Sequence, residues 1–140
     1  MKKLTFFAVF TLLIAANTFA QTGIKFAHGT WKQAVQQAKK EKKLIFLDAY
    51  TTWCGPCKML QANVFPDKEL GDFYNQNFIN VKMDMESAEG ERLAAMYPLR
   101  GYPTLFFIDP NNGKVVKELL GYQEINALLK QGKQVAKKKA

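Results

Sequence analysis

The chain has 140 residues, two cysteines, one histidine and a formal net charge of +8. This length is enough for one domain with a modest core. A structural zinc needs about four ligands, so one cysteine pair and one histidine argue against a metal site, and no metal or other cofactor is expected. Much of the basic excess lies in the last helix and tail without interleaved aromatic residues or base-reading motifs, which favours a solvated terminus over a nucleic-acid or lipid surface.

Residues 1–20 have the pattern of a signal peptide. Lys2 and Lys3 precede an apolar run, Leu4 to Ala16, and Thr18-Phe19-Ala20 offers small residues for cleavage before Gln21. The run is too short for a comfortable membrane span of about twenty residues, although an uncleaved N-terminal anchor is the alternative. We therefore predict an exported, periplasmic chain in an oxidising compartment, with no stable membrane insertion after cleavage.

The remaining chain, residues 21–140, reads as one domain in which helices alternate with strands. The patterns predict a short edge strand at 24–26, a helix from Thr30 to about Lys43, a strand at 44–49, helices at 57–65 and 68–77, a strand at 78–84, a helix at about 88–97, strands at 104–108 and 114–120, and a final amphipathic helix from Gln123. A turn at 109–113 closes the last two strands into a hairpin. This order predicts an α/β domain with a mixed central sheet flanked by helices on both faces.

Both cysteines lie in the segment 52–58, Thr-Trp-Cys-Gly-Pro-Cys-Lys, between a predicted strand and a predicted helix. A helix start offers unpaired N–H groups that favour a thiolate, which makes Cys54 a candidate nucleophile. Cys57, one turn later, could attack a mixed disulfide formed at Cys54. Pro56 suits a first helical turn. The alternatives are half of a metal site, or a structural disulfide whose small loop would stabilise little.

Asp48 ends the apolar run 44–47. Burial there would raise the pKa of its carboxyl, which could then take a proton from Cys57 when that thiol must attack. The alternative is a strand-end aspartate in water.

The segment 52–58 resembles the active site of the thioredoxin-fold family, and the similarity covers nearly all of the chain after residue 23. Asp48 stands six residues before Cys54, where thioredoxins carry a buried aspartate. Arg100-Gly101-Tyr102-Pro103-Thr104 resembles the family's cis-proline loop, and Val81-Lys82-Met83-Asp84 resembles its central strand. The resemblance implies the thioredoxin fold, with Lys82 near Asp48 to offset part of its charge, unless Lys82 faces outward.

The resemblance also implies a docking surface for protein substrates around an exposed Cys54 sulfur. Its members would be Trp53, Gly55, Pro56, Tyr102, Pro103 and Gly121. The Tyr102–Pro103 peptide would be cis and face the dithiol, so that the backbone of Tyr102 pairs with a substrate strand. Tyr102 replaces a smaller side chain that is common in thioredoxins and would narrow the choice of partners.

The stretch between Cys57 and Lys82 is longer than in plain thioredoxins and is similar to exported thioredoxin-like domains such as the C-terminal domain of DsbD. Gly55-Pro56 resembles the reducing end of the family, about −270 mV against about −120 mV for strong oxidants. The expectation is a monomeric, exported protein-disulfide reductase supplied by a membrane electron donor. The alternatives are a disulfide oxidase or isomerase, or a non-catalytic binding module.

Overall fold

The computed structural model describes residues 22–139, so the predicted signal peptide at residues 1–20 lies outside the described residues. The helices are α1 (Trp31–Glu41), α2 (Gly55–Met59), α3 (Lys68–Asn77), α4 (Ala88–Met96) and α5 (Ile125–Lys139), and a π-helical turn, Leu60–Val64, continues α2. The strands are β1 (Leu44–Tyr50), β2 (Phe78–Asp84), β3 (Thr104–Ile108) and β4 (Val115–Leu120). The order of helices and of these four strands agrees with the prediction.

The four strands form one mixed sheet in the order β2-β1-β3-β4. β1 pairs in parallel with β2 and antiparallel with β3, which in turn pairs antiparallel with β4. The central strand β1 is buried along both faces as far as Ala49, which explains why its sequence is apolar without alternation. The sequence prediction of a mixed sheet in one α/β domain is confirmed.

Helices cover both faces of this sheet. One core layer lies between the sheet and α3, α5 and the π-helical turn, and contains Phe46, Leu60, Tyr74, Phe107 and Leu128. The other lies between the sheet and α1 and α4, and contains Ala38, Leu47, Leu93 and Phe106. None of the helices within residues 22–139 has both the length and the apolar character needed to cross a membrane.

The predicted edge strand at 24–26 is wrong, because the segment forms only a single parallel bridge between Phe26 and Asn80. Its backbone donors go to different partners. The N–H of Ile24 donates to the carbonyl of Phe65 at 2.7 Å, and the N–H of Lys25 donates to Oδ1 of Asn75 at 2.8 Å. The segment is therefore tied to a loop and a side chain as well as to the edge of β2.

The helix predicted at 57–65 begins two residues earlier and changes its winding. α2 starts at Gly55, since Cys54 is its N-cap residue, and the chain passes into a π-helical turn at Leu60. In that turn the N–H of Phe65 donates to the carbonyl of Leu60 at 2.8 Å. Single π turns inside α-helices occur frequently near functional sites, and nothing in the apolar spacing of this segment indicates one.

Candidate active site

The two cysteines are joined by a disulfide at the start of α2, with their Cα atoms 5.3 Å apart. Cys54 caps the helix, and its Sγ accepts a hydrogen bond from the backbone N–H of Cys57 at 3.2 Å. The N–H of Cys54 donates to the carbonyl of Thr51 at 3.4 Å, which closes the turn between β1 and the helix. Pro56 lies in the first turn, where its missing N–H costs no intrahelical bond.

This geometry distinguishes the two sulfur atoms chemically. An N–H bond to Sγ of Cys54 favours a thiolate at this position once the disulfide is opened, because the hydrogen bond stabilises a negative charge on that sulfur. Cys57 is fully buried, whereas Cys54 retains 3% exposure. Of the two cysteines, only Cys54 keeps any exposed surface. The sulfur of Cys54 is less exposed than the sequence predicted. Access to this sulfur depends on the groove around it.

Asp48 is buried on β1, six residues before Cys54. Neither of its carboxyl oxygens has a hydrogen-bond partner among the described residues. Burial, partly opposed by the charge of Lys82, raises the pKa of Asp48 to about 7. A carboxyl that titrates near neutral pH is suited to exchanging a proton during a reaction at that pH.

Lys82 occupies the register position beside Asp48 on the parallel neighbour β2. Side chains at paired positions lie on the same face of a sheet, so the predicted neighbourhood of the two residues is found. However, Lys82 is exposed, and the ion pairs within residues 22–139 do not include it. Its ammonium instead lies over the rings of Phe26 and Tyr50. Lys82 therefore acts on Asp48 through space, without a direct bond.

A groove of about 520 Å³ opens beside the disulfide. Its lining consists of Trp53, Cys54, Gly55, Pro56, Leu99, Arg100, Gly101 and Tyr102. Four predicted docking residues are among them, namely Trp53, Gly55, Pro56 and Tyr102. The Tyr102–Pro103 peptide is cis, as the resemblance implied. Pro103 and Gly121 do not line the groove. Pro103 directly follows the lining residue Tyr102, and its carbonyl accepts a 2.8 Å hydrogen bond from the N–H of Gly121.

Three contacts fix the walls of this groove. The indole ring of Trp53, which is 64% exposed, meets the ring of Tyr102 edge-on with centroids 5.9 Å apart. The indole N–H of Trp53 donates to Oε1 of Glu86 at 2.9 Å. On the other side, the guanidinium of Arg100 forms a 3.4 Å ion pair with Glu118 on β4. The large exposed ring of Trp53 is therefore held in place beside the disulfide.

The sequence reading missed several residues at this site. Leu99, Arg100 and Gly101 line the groove, and their position directly before Tyr102-Pro103 was the available signal. The contact of Glu86 with Trp53 had no local signal, because 33 residues separate the two. Thr51 was also missed. Its hydroxyl is buried without a hydrogen-bond partner in the described part of the chain.

Comparison with known proteins gives the same picture as the fold and the site. Residues 31–136 match the model of the family described as thioredoxin-like domain. Over 71 residues the chain is 38% identical to thioredoxin-1 of Drosophila melanogaster, a match that covers 51% of this chain and 62% of that protein. The chain thus spans less than two thirds of the length of this relative.

Two solved structures extend the comparison over most of the domain. The solution structure of a candidate disulphide-isomerase from Bacteroides thetaiotaomicron is 45% identical, with a TM-score of 0.70, and covers 80% of this chain and 92% of its own. The reduced C-terminal domain of DsbD from Neisseria meningitidis is 26% identical, with a TM-score of 0.61, and covers 74% and 91% respectively. The resemblance to DsbD noted from the sequence is confirmed. The chain belongs to the thioredoxin-like domain family, and Cys54 and Cys57 form its disulfide.

Proposed function

We propose that the chain is an exported oxidoreductase that reduces disulfides in protein substrates through Cys54 and Cys57. The observation that carries this proposal is the arrangement of the pair, in which the helix-capping Cys54 lines the groove and the fully buried Cys57 lies behind it. Asp48, an unpaired buried carboxyl on the strand that leads into the pair, supplies a group for proton exchange. The groove beside Cys54 offers a docking surface for an extended substrate segment.

The proposed reaction takes place in two exchange steps. The thiolate of Cys54 attacks one sulfur of the substrate disulfide, forming a mixed disulfide and releasing the other substrate sulfur as a thiolate. Cys57 then loses its proton to Asp48, and its thiolate attacks Sγ of Cys54. This releases the second substrate thiolate and leaves the Cys54–Cys57 disulfide. Two electrons pass from the cysteine pair to the substrate.

The residues around the pair have distinct proposed roles. Lys82 adjusts the charge near Asp48 from the neighbouring strand. Trp53, Gly55, Pro56 and Tyr102 form the docking face, and Pro103 and Gly121 support its far wall through their shared backbone bond.

Export and electron supply follow from the sequence. The pattern of residues 1–20 supports cleavage of a signal peptide and a periplasmic domain at residues 21–140. A reductant in an oxidising compartment must be reduced again after each turnover, so a membrane protein that relays electrons outward is the proposed donor. The protein is proposed to work as a monomer on protein disulfides, without nucleic acid or a membrane anchor.

A disulfide isomerase is the second candidate, and its support is the 45% identity to the candidate disulphide-isomerase from Bacteroides thetaiotaomicron. An isomerase uses the same attack by Cys54 but returns the pair to its reduced form at the end of the cycle. A disulfide oxidase would run the exchange in the opposite direction. The reduction potential of the pair separates these functions from a reductase, since it sets which form dominates in a given compartment.

Insulin reduction with dithiothreitol as the electron source tests the proposal. The protein should accelerate precipitation of the insulin B chain, and Cys54→Ser should abolish the acceleration. Cys57→Ser should instead accumulate a mixed disulfide through Cys54, visible as a higher-mass species on a non-reducing gel. Full activity of Cys54→Ser would show that the nucleophile is assigned wrongly. Absence of any exchange in the parent protein would favour a non-catalytic binding module.

A further inference from the structure

The ammonium group of Lys82 is held by aromatic rings. Its Nζ lies 6.0 Å from the ring centroid of Phe26 and 5.9 Å from that of Tyr50. Both distances are within the reach of a cation–π contact, for which the limit is about 6 Å. The cation is therefore shared between one ring from the N-terminal segment and one ring from the end of β1.

A different partner for this cation lies on the adjacent strand. Asp48 and Lys82 are register partners on β1 and β2, and Asp48 is buried with both carboxyl oxygens lacking a partner in the described chain. An unpaired buried carboxyl is costly, and an ammonium on the same face of the sheet could relieve that cost by an ion pair. In the structure the Lys82 ammonium lies over the two rings, and the Asp48 carboxyl has no hydrogen-bond partner in the described chain.

Contacts that do not involve Lys82 fix the ring of Phe26 and the backbone of Tyr50. Phe26 is bridged to Asn80 on β2, two residues before Lys82, and its ring meets the ring of Phe65 edge-on with centroids 5.2 Å apart. Tyr50 is the last residue of β1 and pairs in register with Asp84. The bridge and the core thus place the ring of Phe26, and the sheet places the backbone from which the ring of Tyr50 extends.

We propose that Phe26 and Tyr50 are positioning residues that hold the Lys82 ammonium away from the Asp48 carboxyl, so that this carboxyl stays unpaired and able to accept a proton. The inference rests on the proposed function for the role of that proton in the reaction. The effect of the two rings on the Lys82 ammonium can be measured without turnover.

The groups that face Asp48 define what a titration would report. On β2 these are Lys82 and, two positions further along the register, Asp84. β1 contributes the phenol of Tyr50, and the β3 partner, Leu105, is uncharged. Cys54 and Cys57 do not titrate while they are joined in the disulfide. In the oxidised protein, a change in the titration of Asp48 therefore reports on Lys82, Asp84, Tyr50 and hydration.

An ion pair with Lys82 would change that titration in a known direction. An opposite charge within about 4–6 Å lowers the pKa of an aspartate by about 1–3 units. Burial holds the pKa of Asp48 near 7 with the ammonium at its present distance. Releasing the ammonium from the rings should therefore lower this pKa.

The test follows the side-chain carboxyl 13C shift of Asp48 against pH in the oxidised protein. Phe26→Leu removes a ring but keeps apolar bulk, and Phe26→Tyr restores a ring. Phe73→Leu is the matched control, because the Phe73 ring carries the ammonium of Lys133 at 5.9 Å on a different part of the surface. We expect Phe26→Leu to lower the midpoint by at least about half a pH unit, with Phe26→Tyr and Phe73→Leu unchanged.

Loss of the ring could also admit water to Asp48, and a second variant separates the two causes. In a Lys82→Met background there is no ammonium to release, so adding Phe26→Leu should leave the midpoint of Asp48 where Lys82→Met alone puts it. If Phe26→Leu lowers the midpoint equally in both backgrounds, hydration is the cause and the proposal is overturned. An unchanged midpoint in both Phe26→Leu and Tyr50→Leu also overturns it. Failure of insulin reduction would leave these midpoints unaffected, so the two proposals fail separately.

Discussion

Replacing Asp48 by alanine should reduce the stability that the protein loses as the pH rises from acid to neutral values. The carboxyl is buried on the central strand, with no hydrogen-bond partner among the described residues to stabilise its charged form. In the unfolded chain the same carboxyl is solvated and ionises at its ordinary pKa. The folded state therefore retains a proton on Asp48 over a pH range in which the unfolded state has lost it.

The size of the effect follows from the shift in pKa, from 3.8 to about 7. Because the pKa of Asp48 is higher in the folded state, the contribution of this residue to the free energy of unfolding is greatest below about pH 4. That contribution falls as the pH rises from 3.8 to about 7. At about 1.4 kcal/mol per pKa unit, the total is roughly 4 kcal/mol, of which roughly 2–3 kcal/mol is lost between pH 5 and pH 8. This is a large part of the 5–15 kcal/mol that stabilises a typical domain.

Urea unfolding of the oxidised protein at pH 5 and pH 8 measures this loss. The quantity to compare is the change in unfolding free energy between the two pH values, because the cavity left by the missing carboxyl affects both values alike. Asp48→Ala should lose roughly 2–3 kcal/mol less than the parent. Asp72→Ala is the control, since that carboxylate is exposed and its variant should lose as much as the parent. Equal losses in the parent and Asp48→Ala would refute the argument that Asp48 is buried without a partner.

The remaining predictions concern catalysis and export. Asp48→Ala should also slow disulfide exchange at pH 7, most in the step where the second thiol must lose its proton, and unchanged turnover would rule out the proton-acceptor role. In a glutathione or dithiothreitol buffer, the Gly55-Pro56 pair predicts a reduction potential closer to that of thioredoxin, about −270 mV, than to that of strong oxidants, about −120 mV. A value above about −180 mV would place the protein with the isomerases or oxidases. Mass spectrometry of envelope protein should show an N-terminus at Gln21, whereas intact cytosolic chain would remove the export proposal. Glu86→Ala should lower kcat/KM for insulin about 3- to 10-fold by freeing the Trp53 ring, which corresponds to the loss of about 1 kcal/mol typical of one hydrogen bond. Glu86→Gln keeps an acceptor for the indole N–H and should retain activity. Equal losses in both variants would refute the role of this contact.

Features that depend on short stretches of chain were predictable from the sequence. The cysteine pair and Asp48 carry their signal within a few residues, as a spacing and as an acid at the end of an apolar run. Pro103 was found through the resemblance of residues 100–104 to the family's cis-proline loop. The four strands were predictable for a similar reason. Each is a short apolar run between residues that favour turns, and their order fixes a mixed sheet.

Features that depend on register and on distant contacts were not predictable. Lys82 was correctly placed beside Asp48, but which group holds its ammonium depends on where Phe26 and Tyr50 meet it, and no spacing encodes that. The segment around Phe26 has the alternation of an edge strand, yet its donors are taken by Phe65 and Asn75. Such competition between partners is decided by the assembled fold.

The buried polar residues show why Asp48 is better explained by chemistry than by architecture. The hydroxyl of Thr104 donates to the carbonyl of Gly101 at 2.7 Å, which secures the turn before β3. The amide nitrogen of Asn80 donates to the carbonyl of Lys25 at 3.3 Å, which ties the N-terminal segment to β2. Within residues 22–139 the side chains of Asp48 and Thr51 both lack such a bond. Of the two, only Asp48 carries an ionisable group, and a leucine would suit its position between apolar strands. The fold thus tolerates a destabilising group on the strand that leads to the cysteines, where the proposed reaction requires a proton acceptor.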